Sequence, residues 1–347
     1  FQTLSYTIDV YRKQLKASQD WLEFAAYVSF FPQLVAGPIE RASRLLPQLQ
    51  RKRKVTEAAV LIGCRMIAWG LFKKVVIADS AAQYANAIFG ASEDMSGPML
   101  TVGVVAFAIQ IYGDFSGYSD VAIGLGRLFG LRLKSNFRFP YFSRNVAEFW
   151  RRWHISLNTW FRDYLYIPLG GSRGGQWMAL RNVAVVFLVS GLWHGADWKF
   201  VVWGGIHAAL FVPVFVMGRN RVTFDQWHWT HVLRMLWTFV LVCFAWIFFR
   251  AESMGQAIQI IHDINERWGD GFAGWAQMRS FWKATDERLF ALAFAAFMLL
   301  EWVQFRRGIR WMWRGVWRGP WVEGLLVLAT LVFSLRNEAS TFIYFTF

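Results

Sequence analysis

The residues of this sequence best suited to moving a proton are two histidines set among apolar neighbours. His194 stands in "SGLWHGADWKFVVWGGIHA", residues 190 to 208, a stretch otherwise rich in tryptophan, glycine and aliphatic side chains. Imidazole titrates near neutrality and serves as general base, proton shuttle or hydrogen-bond partner according to its surroundings. Gly191 and Gly195 flank His194, and Asp197 comes just before the apolar run from Trp198. This pattern reads as a helix break followed by an Asp N-cap, with His194 at the irregular junction. Irregular backbone at membrane depth is tolerated only where protein or a water-filled cavity satisfies it, so a cavity beside His194 is implied. Ionisable side chains there are costly and mark function by default; the plainer alternative is a single hydrogen bond between helices. His207 does not serve as partner from the same helix, because thirteen residues rotate the side chain by about 220°, nearly the opposite face. A partner must come from another element. His207 itself, in "WGGIHAAL", is expected to make a structural polar contact where small residues let helices approach.

A second stretch, "FWRRWHISLNTWFRDYLYIPLGGSRGG" from Phe149, carries His154 after two arginines and a tryptophan. On a helix, His154 and Asn158 share a face at i, i+4. Two readings stand side by side. One is an amphipathic interfacial helix with snorkelling arginines and a tryptophan belt. In the other, Arg151 and Arg152 face the cytoplasm and hold an anionic, nucleotide-like donor, with His154 deeper. A third stretch, "YGDFSGYSDVAIGLGRLFG" (112 to 130), places Asp114 and Tyr118 on one helical face and Ser116 and Asp120 on another, a polar patch continuing an apolar helix. Taken singly, these residues read as structural glue. "GLGRLFG" lacks the preceding strand and the spacing of a dinucleotide loop. His228 and His231 have metal-like i, i+3 spacing, yet only Asp225 is near and no thiolate is close, so no metal site is expected. The absence of HExxH and Walker motifs removes zincins and P-loop transporters as strong candidates.

The elements that position these residues are written in the composition. Of 347 residues, 56% are hydrophobic and 21 are tryptophan, while only 17% are charged, well below the roughly 25% of soluble domains. Several windows approach the roughly 20 apolar residues needed to cross the hydrocarbon. We expect spans near 58 to 78, 99 to 112, 177 to 193, 198 to 216, 232 to 249, 289 to 304 and 321 to 335. The window at 58 to 78, with Arg65, Lys73 and Lys74, and that at 22 to 37, with Glu23 and Pro32, read as tilted, interfacial or re-entrant. The class is therefore all-α, a multi-pass transmembrane bundle. The net charge of +14 is clustered between apolar segments rather than along one polar face, which argues topology and not nucleic acid.

Basic clusters lie at Pro38 to Glu57, Arg127 to Arg152, "GRNR" at 218 and from Phe305, whereas Asp79 to Pro98 has no lysine or arginine. The positive-inside rule puts the basic segments in the cytoplasm. It puts Asp79 to Pro98, the connection Ala251 to Arg288 and the C-terminal "FIYFTF" outside, and the spans alternate without contradiction. "MGQAIQIIHDI" in the 251 to 288 segment is expected as a helix on the membrane surface. Cys64 and Cys243 fall in apolar windows and read as packing residues, with neither a disulfide framework nor a CxxC site. Phe1 follows no initiator Met or signal pattern, which reads as a chain starting partway through a longer protein whose first spans precede it.

The sequence resembles the membrane-bound O-acyltransferase family, in the bacterial branch typified by the alginate O-acetyltransferase membrane subunit. The stretches that carry the likeness are "FFPQLVAGPIER" (30 to 41), 112 to 130, "NFRFPYFSRNVAEFWRRWHISLNTWFRDYLYIPLGG" (136 to 171), "GLWHGADW" (191 to 198) and "FIYFTF" (342 to 347). The resemblance implies one integral-membrane O-acyltransferase domain over residues 1 to 347, lacking N-terminal helices and built around a central tunnel. A donor enters it from the cytoplasm and an acceptor from outside. It implies that the catalytic histidine of the WHG motif is His194 and that His154, after a tryptophan in "FWRRWH", is its partner from another element. His194 would act as general base on an acceptor hydroxyl attacking a thioester, worth about 10² to 10⁴ in rate, and burial would keep its ring neutral.

From the same resemblance come acetyl-CoA as donor substrate with no permanently bound cofactor, and Arg151, Arg152 and Asn158 on the donor side. Asp114, Ser116 and Asp120 would line the tunnel. It further implies a bacterial cytoplasmic (inner) membrane location, an extracytoplasmic acetyltransferase partner and a polysaccharide acceptor. Tyr344, the only nucleophilic side chain among the terminal aromatics, reads either as an acetyl relay or as part of an interfacial anchor. Two alternatives stay open: D-alanyl transfer to teichoic acid from a carrier-protein thioester, and a transporter for a polysaccharide or lipid-linked substrate. No inverted repeat is visible for the latter.

Overall fold

Backbone polar groups in hydrocarbon have no water to bond and must satisfy one another within the segment, so apolar runs of this length become helices. The computed structural model describes residues 1–34, 37–218, 228–269, 274, 276, 277, 279, 288–307 and 320–336. In chain order the α-helices are α1 Gln2–Tyr11, α2 Trp21–Val28, α3 Phe31–Leu34, α4 Ala42–Gln50, α5 Glu57–Leu71, α6 Asp79–Gly90, α7 Gly97–Leu128 and α8 Val146–Arg152. They continue as α9 Ile155–Phe161, α10 Gly175–His194, α11 Trp198–Val216, α12 Thr230–Arg250, α13 Met254–Glu266, α14 Arg288–Arg307 and α15 Pro320–Arg336. Among the described residues there is no strand. Among the described residues five helices, α7, α10, α11, α12 and α14, are long and apolar enough to cross a membrane.

The long helix α7 is the axis of the fold: α5, α6, α12 and α13 all pack on it. Its contact with α5 is set by glycines seven residues apart. A Cβ on Gly117 would lie 2.7 Å from the Gly70 carbonyl oxygen, and one on Gly124 would lie 2.6 Å from that of Gly63. Only glycine lets the two backbones approach so closely. The 58 to 78 window turns out to be no simple span. Helix α5 passes through a π-helical stretch, Phe72–Ala78, into α6. The widened turn of a π-helix carries Lys73 and Lys74, which reach the carboxylates of α7.

One other expectation holds in the structure and one changes. The 99 to 112 span and the polar patch after it form one helix of 32 residues. The helix at 254 to 266 does not merely lie on a surface, for Ala257, Ile260 and Asp263 are buried and the helix packs against α7 and α12. Of the cysteines, Cys243 is buried and Cys64 is exposed.

Candidate active site

His154 occupies the junction between two short helices. The Asn145 side chain caps α8 by accepting from the Glu148 amide at 2.8 Å, and the chain turns extended at Trp153. His154 then adopts φ 41°, ψ 54°, in the left-handed region. For a non-glycine residue this costs of order 1–3 kcal/mol and persists only where the surroundings over-determine it. The surroundings here do so. The Ile155 amide donates to the Asn136 carbonyl at 2.9 Å, and the Arg138 amide to the Arg152 carbonyl at 3.0 Å. Asn136 also accepts from the Ser156 hydroxyl at 2.6 Å and donates to the Ser119 hydroxyl of α7 at 3.2 Å. From the other side, the Asn158 amide donates to the carbonyls of Trp150 at 2.5 Å and Trp153 at 2.6 Å.

His154 and Asn158 therefore do not share a helical face: His154 is the residue before α9, and Asn158 folds back to close the end of α8. The His154 ring lies edge-on to Phe115 of α7 with centroids 4.6 Å apart and is 5% exposed. Its Nδ1 has no hydrogen-bond partner among the described residues. Burial, and after it the nearby His194, disfavour the charged form of His154, which lies outside the five long helices.

His194 is the last residue of α10. The helix break falls at Gly195 alone; Gly191 stays inside the helix for a different reason. A Cβ on Gly191 would lie 2.2 Å from the Phe200 carbonyl oxygen, and one on Gly204 would lie 2.4 Å from that of Phe187. The two glycines let α10 and α11 run in contact. As the sequence suggests, Asp197 caps α11, accepting from the Lys199 amide at 3.0 Å. The half-buried His194 ring is walled by Trp193, Phe249 and Trp203 at centroid distances of 4.7, 4.9 and 5.3 Å. Trp203 also faces His207 at 5.0 Å, and the Trp150 indole of α8 donates to His207 Nδ1 at 3.2 Å. His207 thus makes a structural polar contact that ties α8, which leads to His154, to the helix that walls His194.

The remaining candidates fall in different places. Arg151 is exposed. Arg152 pairs with Glu148 at 2.6 Å, donates to the Arg138 carbonyl at 3.1 Å and lies over the Phe305 ring. Burial opposes the charge of Glu148, but the Arg144 amide and the Arg152 and Arg144 guanidinium groups outweigh it and hold the carboxyl below its ordinary value. On α7, Asp120 pairs with Lys73 at 2.6 Å, the Ser116 hydroxyl accepts from the same amine at 3.0 Å, and Lys74 bridges Asp114 and Asp79 at 2.9 Å each. The Tyr112 hydroxyl donates to Glu301 at 2.6 Å. Tyr344 lies outside the described residues, and among those described no group of His, Cys, Asp or Glu could hold a metal ion. Sequence reasoning missed Asn136 and Glu148. The partners of Asn136, Ser119 and Ser156, come from distant turns of chain that no local spacing announces, whereas those of Glu148, Arg144 and Arg152, stand at i, i+4 and were there to be read.

Residues 10–255 match the membrane-bound O-acyltransferase family. The chain belongs to that family. It is a multi-pass membrane protein, and both histidines and every residue of the junction lie inside the matched region. It is similar to the probable alginate O-acetylase AlgI of Azotobacter vinelandii, 43% identical over 74% of this chain and 50% of the relative. The peptidoglycan O-acetyltransferase of Helicobacter pylori is 41% identical over 70% of this chain and 46% of the relative. The teichoic acid D-alanyltransferase of Bacillus subtilis is 28% identical over 65% and 60%. The chain spans about half the length of the first two relatives.

Proposed function

We propose that this protein is a membrane O-acetyltransferase. It takes acetyl from a cytoplasmic thioester, acetyl-CoA, and passes it across the bacterial inner membrane to hydroxyls of an extracytoplasmic polysaccharide, with a secreted acetyltransferase as partner. The observation that carries the reading is the placement of two histidines from separate elements in one packed region: buried His154, whose Nδ1 has no partner among the described residues, and half-buried His194, walled by Trp203, which reaches the α8 junction through His207 and Trp150. His194 removes the proton of the attacking hydroxyl. The oxygen adds to the thioester carbonyl, the carbon–sulfur bond breaks, and the thiolate leaves with the proton that His194 took. His154 donates to or orients the thioester carbonyl through Nδ1.

The acetyl reading is favoured over D-alanyl transfer because the acetylating relatives are 43% and 41% identical and the D-alanyl relative 28%. The test uses full-length protein in nanodiscs with radiolabelled acetyl-CoA, comparing wild type with His194→Ala. Release of CoA that disappears in the variant supports the reading. Acetyl-CoA left intact by wild type, with a carrier-protein thioester consumed instead, replaces it by D-alanyl transfer. Label on Tyr344, lost in Tyr344→Phe together with transfer, supports the relay; full transfer by that variant leaves only an anchor.

A further inference from the structure

We infer that the ring faces of Phe249 and Trp203 stabilise the positive charge that His194 gains on taking the acceptor's proton, and so act on the transfer as positioning residues. The inference rests on the acetyl-transfer reading. In that reaction the proton moves to the imidazole as the hydroxyl oxygen bonds to the thioester carbon. The imidazole stays cationic until the carbon–sulfur bond breaks and the departing thiolate takes the proton away.

A cation among apolar groups is costly, and the wall of His194 is built of aromatic rings. Phe249 and Trp203 stand at centroid distances of 4.9 and 5.3 Å, their planes at 76° and 84° to the imidazole. In near-perpendicular pairs the electropositive edge of one ring meets the electron-rich face of the other. A cation within about 6 Å of such a face is attracted to it, most strongly where water is excluded. Both rings are 1% exposed, whereas Trp193, the third ring of the wall, is 43% exposed and therefore screened.

The two rings are held in place before reaction. Phe249 packs against Trp246 at 5.2 Å, Phe200 at 5.3 Å and Trp203 at 5.3 Å. Trp203 in turn stacks on Trp246 at 6.1 Å and meets Trp150 of α8 at 5.6 Å. Groups fixed in this way stabilise developing charge without reorganising as it appears.

Two other cations lie at this end of the bundle, and both oppose a third. The Lys199 amine donates to the Ala251 carbonyl at 2.6 Å, and Arg250 donates to Asn86 at 2.9 Å and lies over the Phe89 ring. Asp197 and Glu252 offset Lys199, and Glu252 offsets Arg250. These charges largely cancel at His194, whereas the ring faces touch it directly.

The experiment replaces Phe249, in full-length protein in nanodiscs, by mono-, di- and trifluorophenylalanine through stop-codon suppression. It measures the single-turnover release of CoA from acetyl-CoA. Fluorine withdraws electron density from the face and barely changes ring size. The rate should fall stepwise along the series, by roughly fivefold to thirtyfold at the trifluoro ring. The acetyl-CoA concentration giving half the maximal rate should not change, because the charge arises after binding. Phe244, 39% exposed on the same helix, should accept the series at the wild-type rate. At Trp203, fluorotryptophans weaken the face but make the indole N–H a better donor, so a fall there supports the face. A flat rate along the Phe249 series, a rise at Trp203, or an equal fall at Phe244 overturns the inference while leaving acetyl transfer standing. Wild type that releases no CoA, or releases it without His194, overturns the acetyl-transfer reading and the inference with it.

Discussion

The Ser156 hydroxyl donates to the Asn136 side-chain oxygen at 2.6 Å, across the two strands of chain that hold His154 in its left-handed conformation. Asn136 is wholly buried and reaches α7 through Ser119, so it sets the height of His154 against Phe115. Misplacing a catalytic group by about 1 Å can cost on the order of 10² in rate. We therefore expect Asn136→Ala to lower kcat at least tenfold with a much smaller change in the KM for acetyl-CoA. Asn136→Asp, which keeps the acceptor, should recover part of the rate. A variant that loses Tm but keeps wild-type kcat when assayed well below its melting point would show Asn136 to be structural only.

Gly191 and Gly204 meet the opposite backbone at 2.2 and 2.4 Å from the position of a missing Cβ, whereas a Cβ on Gly205 would find its nearest neighbour at 4.0 Å. Either Gly191→Ala or Gly204→Ala must push α10 from α11 and carry His194 out of its aromatic wall. Loss of folded yield or of acetyl-CoA cleavage is expected for both. Gly205→Ala should be tolerated, with up to about 1 kcal/mol gained from helix propensity. Size-exclusion profiles and initial rates for the three variants check this; full activity in Gly191→Ala would refute the close-approach account.

Much of this architecture was legible in the sequence because hydropathy is a local property. The windows at 177 to 193, 198 to 216, 232 to 249, 289 to 304 and 321 to 335 became helices within a few residues of the expected limits, and the Asp197 cap followed from residue type and position. Illegible were features set by distant partners. Gly191 looked like a breaker because glycine disfavours helix, yet the need for contact with Phe200 keeps it helical. His154 and Asn158 looked like helix neighbours at i, i+4, but His154 takes the left-handed turn before α9, and Asn158 folds back onto carbonyls at the end of α8. The lysines of the π-helix looked like a flaw in a span until α7 supplied the aspartates. For the candidate site, spacing alone marked His194 as needing a partner from elsewhere. The family resemblance, and not spacing, named His154 as that partner.

Glu148 links stability to pH. Its carboxyl is held below the ordinary value by the Arg144 amide and the Arg152 and Arg144 guanidinium groups, against the opposing effect of burial. A depressed carboxyl stabilises the fold fully above its unfolded pKa, about 4.3, and the contribution is lost as pH falls through the lower folded value. Wild type should therefore melt above Glu148→Gln at pH 7, with the gap closing as the pH drops below about 4. Melting curves in detergent across that range decide it. A gap that stays constant with pH would assign the loss to packing rather than to the charge.

Lys73 and Asp120 form an enclosed charge pair with α7, their side chains 4% and 20% exposed at 2.6 Å, with Ser116 bonded to the same amine. Removing one partner of a buried pair strands the other charge and typically costs about 3–5 kcal/mol, whereas replacing both by apolar groups is often neutral. Lys73→Met alone should lower the Tm strongly. Adding Asp120→Leu should restore most of it, giving a favourable coupling in the double-mutant cycle. The acetyl-transfer rate of the double variant then separates the two readings of the polar patch. Retained activity makes these residues an internal brace between the π-helix and α7. A stable protein that cleaves acetyl-CoA poorly makes them part of the substrate path, since the helix they anchor also carries Phe115 against His154.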